Sequence, residues 1–359
     1  MKIIQVAHAL TQNDAASQQL LNMDRIFREL GYESKAYAHK LDARLKNEAE
    51  TMDAFEASDD DIIIYHMTTG TSFNKWVYKY PRKIVLFYHN ITPAKYFFGN
   101  AWGSWLKCLK GRRDLKKIVK NTFFAWGASE YSQRELEELG LKHTKVLPIV
   151  VNPDDYKKYD KVQSIVDTYG DGYKNIIVVG RGVPHKRQDE AIEAAAWYRD
   201  HISDKIRIVI IGGIKESFAK KLHALVKKLN MEKHVLFTGK ISNEELCTWY
   251  GLCDAVLSLS EHEGFCVPLI EGMIFDKPVI AYAGGAVPET LGKAGVLLRE
   301  KNPELVANTI YETLTNELLL ETLRKERQQR LKELSYEALV KRLKEDIEEI
   351  RTLQKEVLR

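Results

Sequence analysis

Two glutamates, Glu263 and Glu271, have seven residues between them in the stretch EGFCVPLIE. Pro268 lies between them at the expected start of a helix, where its missing N–H costs nothing. The free N–H groups of a helix start attract phosphate or sugar oxygens. Carboxylates repel phosphate but accept hydrogen bonds from hydroxyls, so the mixture suits a ligand carrying both groups, which describes a nucleotide sugar. Two cations extend the pattern. Arg181 directly follows the apolar run NIIVVG, and Lys186 stands at the expected start of the next helix. Cations at a helix N-terminus are unfavourable by themselves. A diphosphate between them removes the conflict, each charge-assisted bond contributing about 1.5 to 3 kcal/mol. On this reading Lys186→Ala weakens donor binding and leaves folding largely intact. Arg187, beside them, is read as the weaker candidate, facing solvent.

The run from Glu263 to Glu271, gap-free and set after a strand, resembles the E-x7-E signature of the retaining glycosyltransferases of family 4, the group 1 glycosyl transferases. That resemblance implies an α/β chain of GT-B fold, with two facing Rossmann-like domains, a central cleft and a C-terminal helix crossing back to the first domain. It implies roles for the site residues. Glu271 would accept from the ribose hydroxyls and Glu263 from hydroxyls of the donor sugar. The N–H groups around Gly264, Phe265 and Leu269 would hold sugar and phosphate oxygens. Arg181 and Lys186 would neutralise the departing diphosphate, the main electrostatic task of the reaction. Relatives contact the base through main-chain atoms of the loop TGKIS, which brings in Lys240 and Ile241. Relatives also place a histidine near the donor sugar and acceptor at the position of His89. The reaction implied is hexosyl transfer with retention, in which the leaving phosphate takes the acceptor proton. No Asp-x-Asp motif sits in a loop able to hold a diphosphate, so no catalytic metal is expected, and no cofactor besides the donor substrate. One departure stands out: the loop after the first strand, ALTQNDAAS, has no glycine where relatives often have two. Asp14 in it is either an acceptor-hydroxyl ligand or a helix cap.

Two rival readings keep the same architecture. A nucleotide-sugar epimerase would need acidic and histidine acid–base groups around the sugar. A non-catalytic sugar-nucleotide-binding partner of another transferase would tolerate loss of Arg181, Lys186 or either motif glutamate, and all four are present.

The elements that must position these residues follow from apolar runs and their punctuation. DIIIYH and KIVLFYH are continuous apolar bodies, as parallel strands covered on both faces should be, and they end in His66 and His89. Both histidines therefore fall at the ligand-facing edge, His66 being read equally well as a satisfied histidine of the strand end. Strands are also expected at 3–7, 122–126, 145–147, 175–180, 207–211, 235–237, 255–259 and 279–281. Ser242 with Glu245 three residues on reads as a capping box. The segment PIVVNPDDYKKY has the composition of a linker, which gives domains at 1–150 and 151–334. Residues 335–359 carry an apolar stripe at steps of three and four, Tyr336, Leu339, Leu343, Ile347, Ile350 and Leu353. That stripe suits a terminal helix packed back on the first domain, or a coiled coil.

At 359 residues with 45% apolar content the chain suits two domains. Its formal charge of +4 is too small for a dedicated nucleic-acid binder. Cys108, Cys247, Cys253 and Cys266 have no paired metal spacing and read as reduced thiols of a cytoplasmic protein. The N-terminus opens directly on a strand, leaving no room for a signal peptide, and no apolar run is long enough to span a membrane. The segment 96–120 interleaves Tyr96, Phe97, Phe98, Trp102 and Trp105 with seven cations against Asp114 alone. It suits an anionic membrane surface, at the inner face of the cell membrane, or a lipid-linked polyanionic acceptor. The plainer alternative is a solvated basic helix with its aromatics in the core. The partners expected are thus a nucleotide-sugar donor and a glycan or lipid-linked glycan acceptor for a surface polysaccharide.

Overall fold

The computed structural model describes residues 1–12 and 14–357. The chain divides into two compact units, Met1–Val150 with the segment from Leu334 onward, and Val151–Glu333. Leu334 thus lies with the first unit, one residue short of the expected boundary.

The first unit holds a seven-stranded, wholly parallel sheet. Its strands are β1 (Ile3–Leu10), β2 (Ser34–Leu41), β3 (Glu50–Thr51), β4 (Ile62–Met67), β5 (Ile84–Tyr88), β6 (Thr122–Gly127) and β7 (Thr144–Val146), in the spatial order β3-β2-β1-β4-β5-β6-β7. Every residue of β4, β5 and β6 is buried, which is why those runs are apolar without alternation. β1 extends three residues beyond the expected end, so His8 belongs to the strand. The crossovers include α1 (Ala15–Glu29), α2 (Asn74–Lys79), α3 (Trp102–Lys120) and α4 (Glu130–Glu138).

The second unit holds a six-stranded parallel sheet in the order β10-β9-β8-β11-β12-β13. The strands are β8 (Lys174–Val179), β9 (Ile206–Ile211), β10 (Val235–Gly239), β11 (Ala255–Ser258), β12 (Val279–Tyr282) and β13 (Val296–Leu298). Its helices are α5 (Asp154–Lys157), α6 (Gln163–Tyr169), α7 (Gln188–His201), α8 (Glu216–Lys228), α9 (Asn243–Leu252), α10 (Val267–Ile274), α11 (Val287–Leu291), α12 (Pro303–Thr315) and α13 (Glu317–Glu333). One core runs from the β8 and β9 isoleucines through the alanine face of α7 to Val306, Ala307 and Ile310 of α12.

The last helix, α14 (Tyr336–Val357), packs on the first unit. Leu339, Leu343, Ile347 and Ile350 are fully buried, so the stripe is covered by its own chain and no coiled coil forms on it. Asp346 is buried on the same helix, accepting from Trp126 Nε1 at 2.8 Å and Lys145 Nζ at 2.7 Å. Burying a carboxylate is costly unless it is paired and hydrogen-bonded, and here it is both. No helix among the described residues is long and apolar enough to cross a membrane.

Candidate active site

Strand order in the second sheet reverses between β8 and β11, which pair directly through Ala255 with Ile176 and Val256 with Ile177. Open α/β sheets bind ligands beyond the strand ends at such a reversal. The chain leaving β8 carries Gly180, Arg181 and the 3-10 turn Pro184–Lys186; the chain leaving β11 carries Glu263 and then α10. The two loops are tied by Glu261 N donating to the His185 carbonyl at 2.8 Å. A third loop, after β12, presses its backbone onto Glu263. A Cβ on Gly285, whose φ is +61°, would lie 2.4 Å from the Glu263 carbonyl oxygen. Only glycine fits there.

Lys186 and Glu263, 77 residues apart in sequence, meet as an ion pair with Nζ–Oε1 at 2.5 Å. Burial opposes the charged form of Glu263, but the adjacent Lys186 and a Ser260 hydroxyl hold its carboxyl below the usual range. Burial likewise works against a charged Lys186, and Glu263 more than offsets it. Arg181 adds a like charge near Lys186, yet it is itself exposed and takes part in no ion pair among the described residues. Arg187 is not a solvated spare. It adopts a left-handed φ of 50° and is bound to Asp189, Glu190 and Glu261, the last at 2.7 Å, so its charge is spent inside the loop.

Glu271 is buried too, in a different environment. Its Oε1 accepts from Tyr156 at 2.9 Å and its Oε2 from Tyr250 at 2.6 Å. Burial raises its pKa, and the two tyrosine hydroxyls only partly counter this. Each oxygen keeps a second lone pair, enough for another hydroxyl donor. Neither tyrosine was singled out in the sequence. Tyr156 sits 115 residues away inside the linker-like segment, and only folding brings it to the glutamate.

The helix start differs in detail from the expectation. α10 begins at Val267 behind Cys266, which has φ +78°; Pro268 is therefore its second residue and Glu271 falls in its second turn. The Leu269 N–H is already used, donating to the Cys266 carbonyl at 3.1 Å. Leu269 thus does not offer the free amide expected of it, because the tight entry closes a turn on it. Gly264 and Phe265, just before the helix, donate no hydrogen bond among the described residues. Lys186 likewise is separated from α7 by Arg187 rather than standing at its first turn. Burial, with Glu263 next to it, pushes the Cys266 thiol up strongly, so it is a neutral filler of the loop. In the loop between β10 and α9, Lys240 is exposed with its stem against Gly213, Ile241 is half-buried, and Ser242 with Glu245 forms the expected capping box.

In the first unit the sheet order reverses between β1 and β4. Across this reversal a hydrogen-bonded chain forms: Gln5 Nε2 donates to the Leu20 carbonyl (3.0 Å), Gln5 Oε1 faces His66 Nε2 (3.0 Å), and His66 Nδ1 faces His89 Nε2 (3.2 Å). The Leu20 carbonyl can only accept, which fixes the Gln5 amide and makes its Oε1 an acceptor. His66 must then carry its proton on Nε2 and accept on Nδ1. His89 donates from Nε2 and is left with a lone pair on Nδ1. His66 is thus a satisfied histidine, and Gln5, unnoticed in the sequence, is its anchor. Burial pulls His89 down to about 3 and His66 well below its ordinary value, so both are neutral near neutrality. Nitrogen-detected NMR should find both rings neutral and protonated on Nε2 across about pH 5 to 8. A depressed histidine contributes stability that is complete above the ordinary histidine pKa and is lost as pH falls towards about 3. Stability should therefore decline on acidification below about pH 6.5; a flat profile, or a His89 titrating near pH 6.5, would contradict the chain of bonds.

Asp14 caps α1, accepting from Ser17 N at 3.1 Å and Ser17 Oγ at 3.0 Å. Among the described residues no group of three or more His, Cys, Asp or Glu is placed to hold a metal ion.

The profile of the family Glycosyl transferases group 1 matches residues 167–337, the greater part of the second unit. An uncharacterized glycosyltransferase of Methanocaldococcus jannaschii is 29% identical over 246 residues, covering 67% of this chain and 64% of that protein. A GDP-mannose-dependent phosphatidylinositol monomannoside mannosyltransferase of Mycobacterium tuberculosis is 28% identical over 148 residues, 39% of this chain and 38% of its own. Less than two thirds of either relative's length is thus covered. Among solved structures, Anabaena HepE in complex with UDP superposes with a TM-score of 0.77 at 16% identity, over 97% of this chain and all of that one. WaaG, described as a glycosyltransferase of lipopolysaccharide biosynthesis, gives 0.71 at 14% identity over 94% and 98%. At such identities the likeness speaks for the fold. With its two parallel sheets and returning terminal helix, the chain is a GT-B-fold protein related, through its second unit, to the group 1 glycosyl transferases.

Proposed function

We propose that this protein is a retaining glycosyltransferase of family 4 type, moving a hexosyl unit from a nucleoside-diphosphate sugar to a glycan or lipid-linked glycan acceptor of a surface polysaccharide. One observation carries the reading: at the β8–β11 reversal an exposed Arg181, unpaired among the described residues, lies beside the Lys186–Glu263 pair, with the buried acceptor Glu271 on the adjoining helix. Anionic and hydroxyl-bearing parts of one ligand are both provided for. The relatives' printed activities, among them transfer from GDP-mannose, agree with a nucleotide-sugar donor. Arg181 and Lys186 would take the diphosphate, Lys186 having donors left beyond the one given to Glu263. Glu271 would accept from the ribose, Glu263 from the sugar, and the Gly264 and Phe265 amides from sugar or phosphate oxygens. Main-chain groups at Lys240 and Ile241 would meet the base. His89, from its own unit, would accept a substrate hydroxyl on Nδ1.

The test is a turnover assay with a panel of nucleotide sugars and polyprenyl-linked glycan acceptors, following nucleoside diphosphate release and the anomeric configuration of the product. Isomerised donor without transfer would identify an epimerase instead. Two variants separate the glutamates. Glu271→Gln should weaken free nucleoside diphosphate, whereas Glu263→Gln should spare that affinity and depress transfer; the reversed pattern overturns the assignment. Tyr156→Phe gives a finer check. It should lose about 1.5 kcal/mol of stability, the worth of a hydrogen bond to a charged group, while nucleoside diphosphate binds at least as tightly, because an acceptor on Glu271 is freed.

A further inference from the structure

The buried face of α3 is fixed on the first unit by Cys108, Asp114, Leu115, Ile118 and Val119 and by a backbone crossing. A Cβ on Gly111 would lie 2.6 Å from the amide nitrogen of Gly70, and Gly70 N donates to the Lys107 carbonyl at 3.2 Å. Two of the seven cations also serve the interior. Lys110 pairs with buried Asp114, and Arg112 binds Glu135 and, at 2.7 Å, the Ile91 carbonyl in the loop after His89. The opposite face is different. At 100° per residue, Trp102, Trp105, Leu106, Leu109, Arg113, Lys116 and Lys120 share one side of the helix. Its first turns are apolar and its later turns cationic, with no acid among them.

That face is exposed where a core helix would be covered. Trp102 is 57% exposed, Leu106 58% and Leu109 44%, and Phe98, just before the helix, 60%. Phe98, Trp102 and Trp105 pack on one another with ring centroids 5.3 to 6.0 Å apart. A cluster of this kind costs free energy in water and marks an interaction surface. Arg113 and Lys116 make no ion pair among the described residues. The plainer alternative, aromatics lying in the core, therefore fails for Trp102 and Phe98, and the cations are sorted by face.

We propose that the outward face of α3 docks on an anionic lipid bilayer, the Phe98–Trp102–Trp105 cluster with Leu106 and Leu109 entering the interface and Arg113, Lys116 and Lys120 meeting the headgroups. The occupant follows from complementarity: an apolar wedge continuous with unpaired cations fits a layer that is apolar beneath an anionic surface. The docking stands on α3 alone. It deepens the reading above by bringing a lipid-linked acceptor to the enzyme.

Sedimentation of the full chain with vesicles of phosphatidylcholine mixed with phosphatidylglycerol, against phosphatidylcholine alone, tests this at low and high salt. Wild type should pellet with the anionic vesicles and be released by salt. Arg113→Gln with Lys116→Gln should lower that partitioning roughly twenty-five-fold, each cation near the surface counting about fivefold. Trp102→Ser with Leu106→Ser should lower it as well, and, both side chains being exposed, should leave the unfolding midpoint unchanged. Equal partitioning to both vesicle types, none to either, or unaltered partitioning of both double variants would overturn the docking. So would an oligomer that the Trp102/Leu106 variant dissociates while vesicle binding is absent, since a second copy would then be the occupant. Nucleoside diphosphate affinity should be the same in all these variants. Its absence in a wild type that binds vesicles would count against the transferase reading and leave the docking standing.

Discussion

Lys186→Ala should unfold far more readily than the wild type, with a loss of about 3 kcal/mol or more, because it strands a buried carboxylate. The reading from sequence alone, a binding defect in an intact fold, is revised by the ion pair with Glu263, whose side chain is only 9% exposed. The double variant Lys186→Ala, Glu263→Gln should recover much of the stability while still binding nucleoside diphosphate poorly. The pH dependence gives an independent check. In the wild type the Glu263 carboxyl is held low, so the pair stabilises above the ordinary carboxylate range and is lost as pH falls through the depressed value. In Lys186→Ala burial acts without its main counterweight and lifts that carboxyl, so the deficit of the variant should shrink on acidification. Denaturant titrations of the three proteins at two pH values decide the matter. A single variant as stable as wild type would show that the pair does not form.

Arg181→Ala should do the opposite: fold normally and fail at turnover. Its side chain is exposed and makes no ion pair among the described residues, so stability should stay within about 0.5 kcal/mol. As the free cation beside the diphosphate seat it would stabilise charge that develops as the glycosidic bond breaks. Removing one such group typically costs about a hundredfold to a thousandfold in rate. Arg181→Lys should restore part of this, since the charge remains but the planar fork is lost. Full activity in Arg181→Ala would remove this residue from the site.

The parallel strands were readable because full burial on both faces leaves uninterrupted apolar runs, as in IIIYHM and IRIVII. The stripe of α14 was readable because its period is helical. β2 was not anticipated: the strand reads SKAYAHKL, without a continuous apolar run, and its second half, Ala38–Leu41, turns from buried to exposed. Asp346 was hidden for another reason, since nothing local distinguishes a carboxylate that caps Trp126 from a solvated helix charge. In the site, Glu263, Glu271, Arg181 and Lys186 stood out by spacing. Their partners Ser260, Tyr156 and Tyr250 did not, and neither did Gln5, the partner of His66, because these residues act through contacts made only after folding. The true fate of each cation was equally illegible: Arg187 and Arg112 are consumed by local acids, whereas Arg181 and Arg113 are not.

The central claim is that the carboxyl edge of the second sheet binds a nucleoside-diphosphate sugar. Isothermal titration of the wild type and Arg181→Ala with UDP-, GDP-, ADP- and dTDP-sugars tests it most directly. The account predicts saturable binding of at least one of these by the wild type, weakened about tenfold or more in the variant, as loss of one charge-assisted bond requires. Binding of none of them, or binding of equal strength by both proteins, would contradict it.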